Sequence, residues 1–227
     1  MFLADHPRLG ISVALKVARP RRFTRRSDAE RFIEEARVAA SIRHPGIVTV
    51  HDVDVVDGVY FIVQEFLSGG TLADRMKRQP LETESIDRYL VPAAEALAFA
   101  HRQGVYHRDI KPANIMFDDE DRPKITDFGL AMLHSARQIS EGVRVGTPQY
   151  ISPEQVRGEA NRTDGRTDVW ALGVILYQML TGKRPFTGKD AQEIWHNVVH
   201  FEPSPPRQVR PGTPLSLQRI CLKCLEK

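Results

Sequence analysis

Apolar and polar positions along the chain fall into two rhythms: short runs with the two-residue alternation of strands, and longer runs with the 3.6-residue spacing of helices. Residues 1–4 read as the end of a strand, residues 5–10 are turn-rich, and residues 11–18 resume as an apolar strand, which predicts a hairpin. Ser27-Asp28-Ala29-Glu30 has the form of a capping box, and Phe32, Ile33, Ala36, Ala39, Ala40 and Ile42 follow at helical spacing until His44-Pro45 ends the helix. Residues 47–53 and 59–66 predict two strands joined at Asp57-Gly58. From there the rhythm turns helical. A short helix is expected over 71–78 and a longer one over 83–103, with Ile86, Leu90, Ala94, Leu97 and His101 on one face and Gly104 as the stop. Pro92 lies inside it and predicts a kink or a tightly wound turn.

Farther on, residues 115–117 and 124–126 flank the acidic turn 118–121 and predict a second hairpin. Residues 130–144 are polar and without period, so they read as a long loop of the kind that is functional or mobile. An apolar helix is expected from Asp168 to Leu180, closed by Gly182, with Asp168 as an ordinary N-cap. A short helix from Asp190 to about His200, a connection with five prolines over 201–214, and a helix over 215–227 complete the chain.

Composition narrows the class. The 227 residues are 41% hydrophobic with 15 Gly and 15 Pro, as in globular proteins. A net charge of +3 and a pI of about 8.9 are too weak to argue nucleic-acid binding. The dense run Arg19, Arg21, Arg22, Arg25 and Arg26 reads as a solvated loop, with phosphate or acidic partners as the alternative. The two cysteines, Cys221 and Cys224, form a lone C-x-x-C without the further ligands that zinc needs, so they read as half-buried helix residues in a reducing cytosol. No signal peptide is visible, and the apolar run 169–180 is too short to span a bilayer. A soluble cytoplasmic chain without nucleic-acid or membrane contact is expected.

The chemistry concentrates in His107-Arg108-Asp109-Ile110-Lys111-Pro112-Ala113-Asn114 and Asp127-Phe128-Gly129. Asp109 and Asp127 offer carboxylates and Asn114 an amide oxygen, hard donors of the kind that proton transfer and cation binding use. The hairpin between them would carry Asn114 and Asp127 at its two open ends, bringing two oxygen ligands together. Upstream, Lys16 sits among apolar strand residues, where an ammonium is costly to bury unless paired. Taken alone it fits a solvent-facing position equally well, and Glu35 taken alone is a surface glutamate.

Together these motifs resemble the eukaryotic-type serine/threonine protein kinases, particularly the bacterial members. H-R-D-x-x-x-x-N and D-F-G match the kinase signature, Val13-Ala14-Leu15-Lys16 resembles the motif V-A-I-K, and Ser152-Pro153-Glu154 resembles A-P-E. Asp109-Ile110-Lys111-Pro112-Ala113-Asn114 and Gly146-Thr147-Pro148 resemble the serine/threonine branch. The resemblance implies an α+β, two-lobed fold: a small antiparallel sheet with one helix over residues 1–67, and a larger, mostly helical lobe over 68–227. It implies ATP with magnesium, or manganese in its place, and protein substrates bearing serine or threonine.

The resemblance also assigns roles. Asp109 is the base; Lys111 and Lys16 stabilise phosphate charge; Glu35 holds Lys16; Asn114 and Asp127 bind metal. Ala14 and the backbone at Glu65 and Leu67 line the adenine side, with Gln64 guarding the space behind. Arg108 reads a phosphorylated loop in which Ser135, Ser140 or Thr147 is a self-phosphorylation site. His107, Phe128, Gly129, Glu154 and Asp168 are structural, and Asp168 braces the catalytic loop. The family's G-x-G-x-x-G-x-V loop and final helices have no counterpart, so a domain truncated at both ends is expected. Losing that loop's two or three charge-assisted hydrogen bonds to nucleotide phosphates would cost about 3–9 kcal/mol. The alternative is a weak or inactive kinase-like scaffold.

Overall fold

A computed structural model describes residues 1–6, 10–18, 26–78, 83–128, 148–159 and 164–227, without the side chains of residues 26–31, 35 and 78. The chain opens with strands β1 (Phe2–Asp5) and β2 (Ser12–Val17), helix α1 (Arg26–Ser41), and strands β3 (Val50–Val56) and β4 (Val59–Glu65). The four strands form one antiparallel sheet in the order β1-β2-β4-β3. Between β3 and β4, Asp57 and Gly58 both take positive φ, at 52° and 76°. A two-residue hairpin turn matched to strand twist needs that conformation, which the Asp-Gly dipeptide adopts readily. Helix α1 lays Phe32 and Ala36 against Ala18 and Ile62, making a small core of its own.

The third strand begins later than the hydrophobic pattern predicts. Ile47 and Val48 are both buried, and their backbone leaves the large sheet: Ile47 bridges Ile125 in parallel, and the Val48 N–H donates to the Ile125 carbonyl at 2.9 Å. A run buried on both faces reads like a strand, but its hydrogen bonds go to another sheet.

Beyond the sheet the chain is mostly helical. Helices α2 (Leu72–Arg78) and α3 (Glu84–Arg102) precede a hairpin of β5 (Ile115–Phe117) and β6 (Pro123–Ile125). Then come α4 (Pro153–Val156), α5 (Gly165–Thr181), α6 (Ala191–His200), α7 (Pro206–Val209) and α8 (Leu215–Cys224), so the expected last helix is shorter and the Pro-rich connection contains one helical turn. Helix α3 runs continuously through Pro92. Its buried face is Ile86, Tyr89, Leu90, Ala93, Ala96, Leu97 and Ala100, whereas Ala94 points to solvent; the observed stripe follows i, i+3, i+4.

Helix α5 is buried almost all round, from Trp170 to Leu180, and forms the axis of the larger core. It starts three residues before the expected position. Asp164 is the N-cap, accepting from the Arg166 N–H at 2.9 Å, so Asp168 is in the first turn and not the cap. Helix α8 crosses α5 closely at Gly173, where an added Cβ would stand 2.6 Å from Cys224 Cβ. Cys221 Sγ faces the Gly173 carbonyl at 3.6 Å, and burial, with Cys224 beside it, pushes its thiol up to about 12. Gly173→Ala should therefore lower unfolding stability by about 1–3 kcal/mol in urea titrations, through overpacking. A neutral effect would mean that α8 can move aside.

Candidate active site

The stretch from His107 to Asn114 is held from below by one carboxylate. Asp168, 0% exposed on α5, accepts from the backbone N–H of His107 at 2.9 Å through Oδ2 and of Arg108 at 2.7 Å through Oδ1. His101 on α3 adds Nε2 at 2.8 Å from Oδ2. Arg108 takes a φ of 64°, and its carbonyl accepts from Gln155 Nε2 at 2.8 Å. A non-glycine residue in that region costs about 1–3 kcal/mol and persists only where its surroundings fix it. Here both flanking peptide groups are fixed. Buried His107 accepts from the Asp109 N–H through Nδ1 at 3.2 Å, so Nε2 carries the proton it donates to the Thr126 carbonyl at 2.8 Å. Its ring meets the edge of buried Phe128, with centroids 4.8 Å apart.

These contacts tie the loop to the β5-β6 hairpin. Ile115 pairs with Ile125, and the Thr126 N–H donates to the Asn114 carbonyl at 3.0 Å, so Asn114 and Asp127 lie at the hairpin's open end. Asn114 commits its amide nitrogen to the Asp109 carbonyl at 2.8 Å, leaving Oδ1 as the atom suited to a cation. The Asp109 side chain is 44% exposed, open to an incoming hydroxyl, and Lys111 Nζ donates to its Oδ2 at 2.6 Å.

Strand β2 brings Lys16 into the same cleft. Its Nζ reaches Asp127 Oδ1 at 2.5 Å across 111 positions of sequence. Burial pushes the Asp127 carboxyl up, but the Lys16 ammonium and its hydrogen bond, helped by His107 and Lys111, outweigh burial and hold it below the usual carboxylate range. Asp127 and Asn114 together offer hard oxygen donors, one of them ionised, which suits a magnesium-sized cation that also binds substrate phosphates.

Along the cleft, Ala14 pairs with Gln64 and Val13 with Glu65, at the β4 end. Gln64 is buried, with Nε2 3.4 Å from Thr126 Oγ1, and Leu67 is buried just beyond. Glu154 Oε1 accepts from Thr167 Oγ1 at 2.6 Å, near Asp168 in α5. The Glu35 side chain, Gly129, Ser135, Ser140 and Thr147 lie outside the described residues. Sequence reasoning missed His101 and Gln155. In sequence His101 falls on an apolar helix face, and the signal for Gln155 is its place three residues after Ser152, where its Oε1 caps the Ser152 N–H at 3.1 Å.

Comparison with known proteins agrees with this geometry. The family model described as "Protein kinase domain" matches residues 2–226. "Serine/threonine-protein kinase PknB" of Mycobacterium leprae is 37% identical over 234 residues, covering 100% of this chain and 37% of the relative. The protein of the same name from Mycobacterium tuberculosis is 37% identical over 235 residues, with the same coverage. "Probable serine/threonine-protein kinase PknB" of Bifidobacterium longum is 38% identical over 241 residues, covering 100% of this chain and 34% of the relative. The chain thus spans little more than a third of the length of these relatives. With a lysine from one sheet and an aspartate, an asparagine and a second aspartate from loop and hairpin in one cleft, the chain belongs to the protein kinase domain family, in its bacterial serine/threonine branch.

Proposed function

We propose that this chain transfers the γ-phosphoryl group of ATP to serine and threonine hydroxyls of proteins. The observation that carries the reading is the Lys16–Asp127 contact, which joins a strand lysine to the hairpin end that also bears Asn114. Asp109 accepts the hydroxyl proton as the acceptor oxygen bonds to the γ-phosphorus. The bond from that phosphorus to the β,γ-bridging oxygen breaks, and ADP leaves with the electron pair. Lys111, already on Asp109, lies where it balances charge between base and phosphate, and Lys16 does so on the nucleotide side. Magnesium, or manganese in its place, would supply charge neutralisation of the phosphates when bound by Asn114 Oδ1 and Asp127.

Ala14 and the backbone at Glu65 and Leu67 line the adenine side in this reading, Glu35 supports Lys16, and residues 1–67 and 68–227 act as two lobes. Ser135, Ser140 and Thr147 are the proposed self-phosphorylation sites, with Arg108 beside the base as their reader. A cytoplasmic location and no nucleic-acid partner complete the reading. Among the described residues no helix is long and apolar enough to cross a membrane.

Phosphate transfer from Mg-ATP to a generic basic protein should fall by about a hundredfold or more in Asp109→Asn, from loss of the base, and comparably in Lys16→Met, from loss of phosphate charge. Asp109→Asn retaining wild-type turnover would sink the mechanism. A second prediction concerns pH. Because the folded state holds the Asp127 carboxyl below its unfolded range, its stabilising effect is full above about pH 4 and fades as pH falls through the lower folded value. Thermal melts of wild type and Asp127→Asn should differ by a constant gap from pH 5 to 8, and the gap should shrink progressively as pH falls below about 4. A gap as wide in acid as at neutral pH would show that the Lys16 pair does not set it.

A further inference from the structure

Glu65, the last residue of β4, is tied down at three atoms. Its N–H donates to the Thr49 carbonyl at 2.9 Å, and its Oε2 accepts from the Thr49 N–H at 3.2 Å. Its Oε1 is bonded by Lys124 Nζ, a lysine of β6, in an ion pair whose side chains are only 14% and 25% exposed. Lys124 stands opposite Met116 of β5, which bridges to Thr71 just past the β4 exit. The next residue, Ile125, donates to the Gly46 carbonyl at 2.8 Å and accepts from Val48. Two residues beyond that is Asp127. The ammonium of Lys124 therefore links the end of the large sheet to the strand that leads into the cation-binding aspartate.

A half-shielded ion pair is a conditional link. Intact, it orders two flexible side chains and the backbone that carries them; with one partner removed, a carboxylate remains in a poorly solvated place and its segment rearranges to reach water. The segment that would rearrange is residues 65–69, where the chain leaves β4 for α2. Lys124 touches neither of the pairs that serve the transferred group, Lys16–Asp127 and Lys111–Asp109.

We propose that Lys124 is a positioning residue for the nucleotide: through Glu65 it fixes the backbone of residues 65–67 relative to Asp127, so that the adenine edge and the metal-bound phosphates are held at one spacing. The inference rests on the phosphotransfer reading above, with Glu65 and Leu67 on the adenine side.

The test uses Lys124→Met, Lys124→Arg and the double variant Glu65→Gln/Lys124→Met. In nucleotide-free protein, hydrogen exchange at the amides of residues 65–69 should accelerate in Lys124→Met and not in Lys124→Arg. Mg-ADP affinity by calorimetry should fall about fivefold or more in Lys124→Met and recover to within about twofold in Lys124→Arg. The double variant should bind better than Lys124→Met, because the stranded carboxylate is gone. The KM for the acceptor protein should stay within about twofold throughout, a split that general loss of structure would not produce. Unchanged exchange at 65–69, or Mg-ADP affinity within twofold of wild type in Lys124→Met, would overturn the proposal. If Lys124→Met does not fold, Glu65→Gln breaks the same link and supplies the same two readouts, with the Lys124 ammonium left unpaired in place of the carboxylate. A wild type that binds no Mg-ADP would overturn the phosphotransfer reading instead, and the nucleotide-free exchange would separate that failure from failure of the link.

Discussion

The site depends on one buried carboxylate. Asp168 has no contact with water, and burying a carboxylate is costly unless donors replace its hydration. Two consecutive backbone amides and a histidine do so, from a loop and a helix that precede Asp168 by 60 to 67 positions. Hydrogen bonds to a charged acceptor contribute about 1.5–3 kcal/mol each, enough for the two amide bonds to offset the left-handed backbone at Arg108. The conformation in turn points the chain so that Asp109 opens to solvent while Ile110 and Pro112 are buried. Asp168 is thus fixed in α5 by core packing, and the loop is fixed by Asp168.

A second consequence is that the cleft balances its own charge. Each acidic group proposed for chemistry carries a lysine: Lys111 on Asp109, and Lys16 on Asp127. All four side chains are partly exposed, so solvent screens these pairs in part. Solvent-reachable pairs suit groups that must exchange partners. In the phosphotransfer reading, a polyphosphate entering the cleft would give the lysines a stronger anionic partner and free the aspartates for a proton or a cation.

Much of this was legible in the sequence, because the decisive signals are local. The Asp-Gly turn, the strands around it, the catalytic stretch and the hairpin after it have side-chain patterns that short-range physics dictates. The departures arise where tertiary contacts override local preference. Ile47 and Val48 look like a strand of the large sheet but bond to Ile125, since only the folded chain offers that second edge. Asp168 has the composition of an N-cap, yet Asp164 takes that place and leaves Asp168 for the loop. His101 carries no sequence signal that its partner is 67 positions away. The partner of Lys16 was ambiguous for the same reason: a strand period tells which face a side chain takes, not what meets it there.

The same contacts divide the labour between the two parts of the fold. Asp109 is placed by α5, α3 and α4, through Asp168, His101 and Gln155, without help from the four-stranded sheet. The sheet supplies Lys16 and the β4 end, and it reaches the hairpin through a few bonds centred on Lys124 and Ile125. In the phosphotransfer reading, base and nucleotide geometry are therefore set by different parts of the molecule, which among the described residues meet at residues 124–127 and where Gly69 and Gly70 bond Phe117. A change in the core around α5 would then disturb the base first, whereas a change at the sheet–hairpin junction would disturb the nucleotide side first and reach the base through Thr126 and His107.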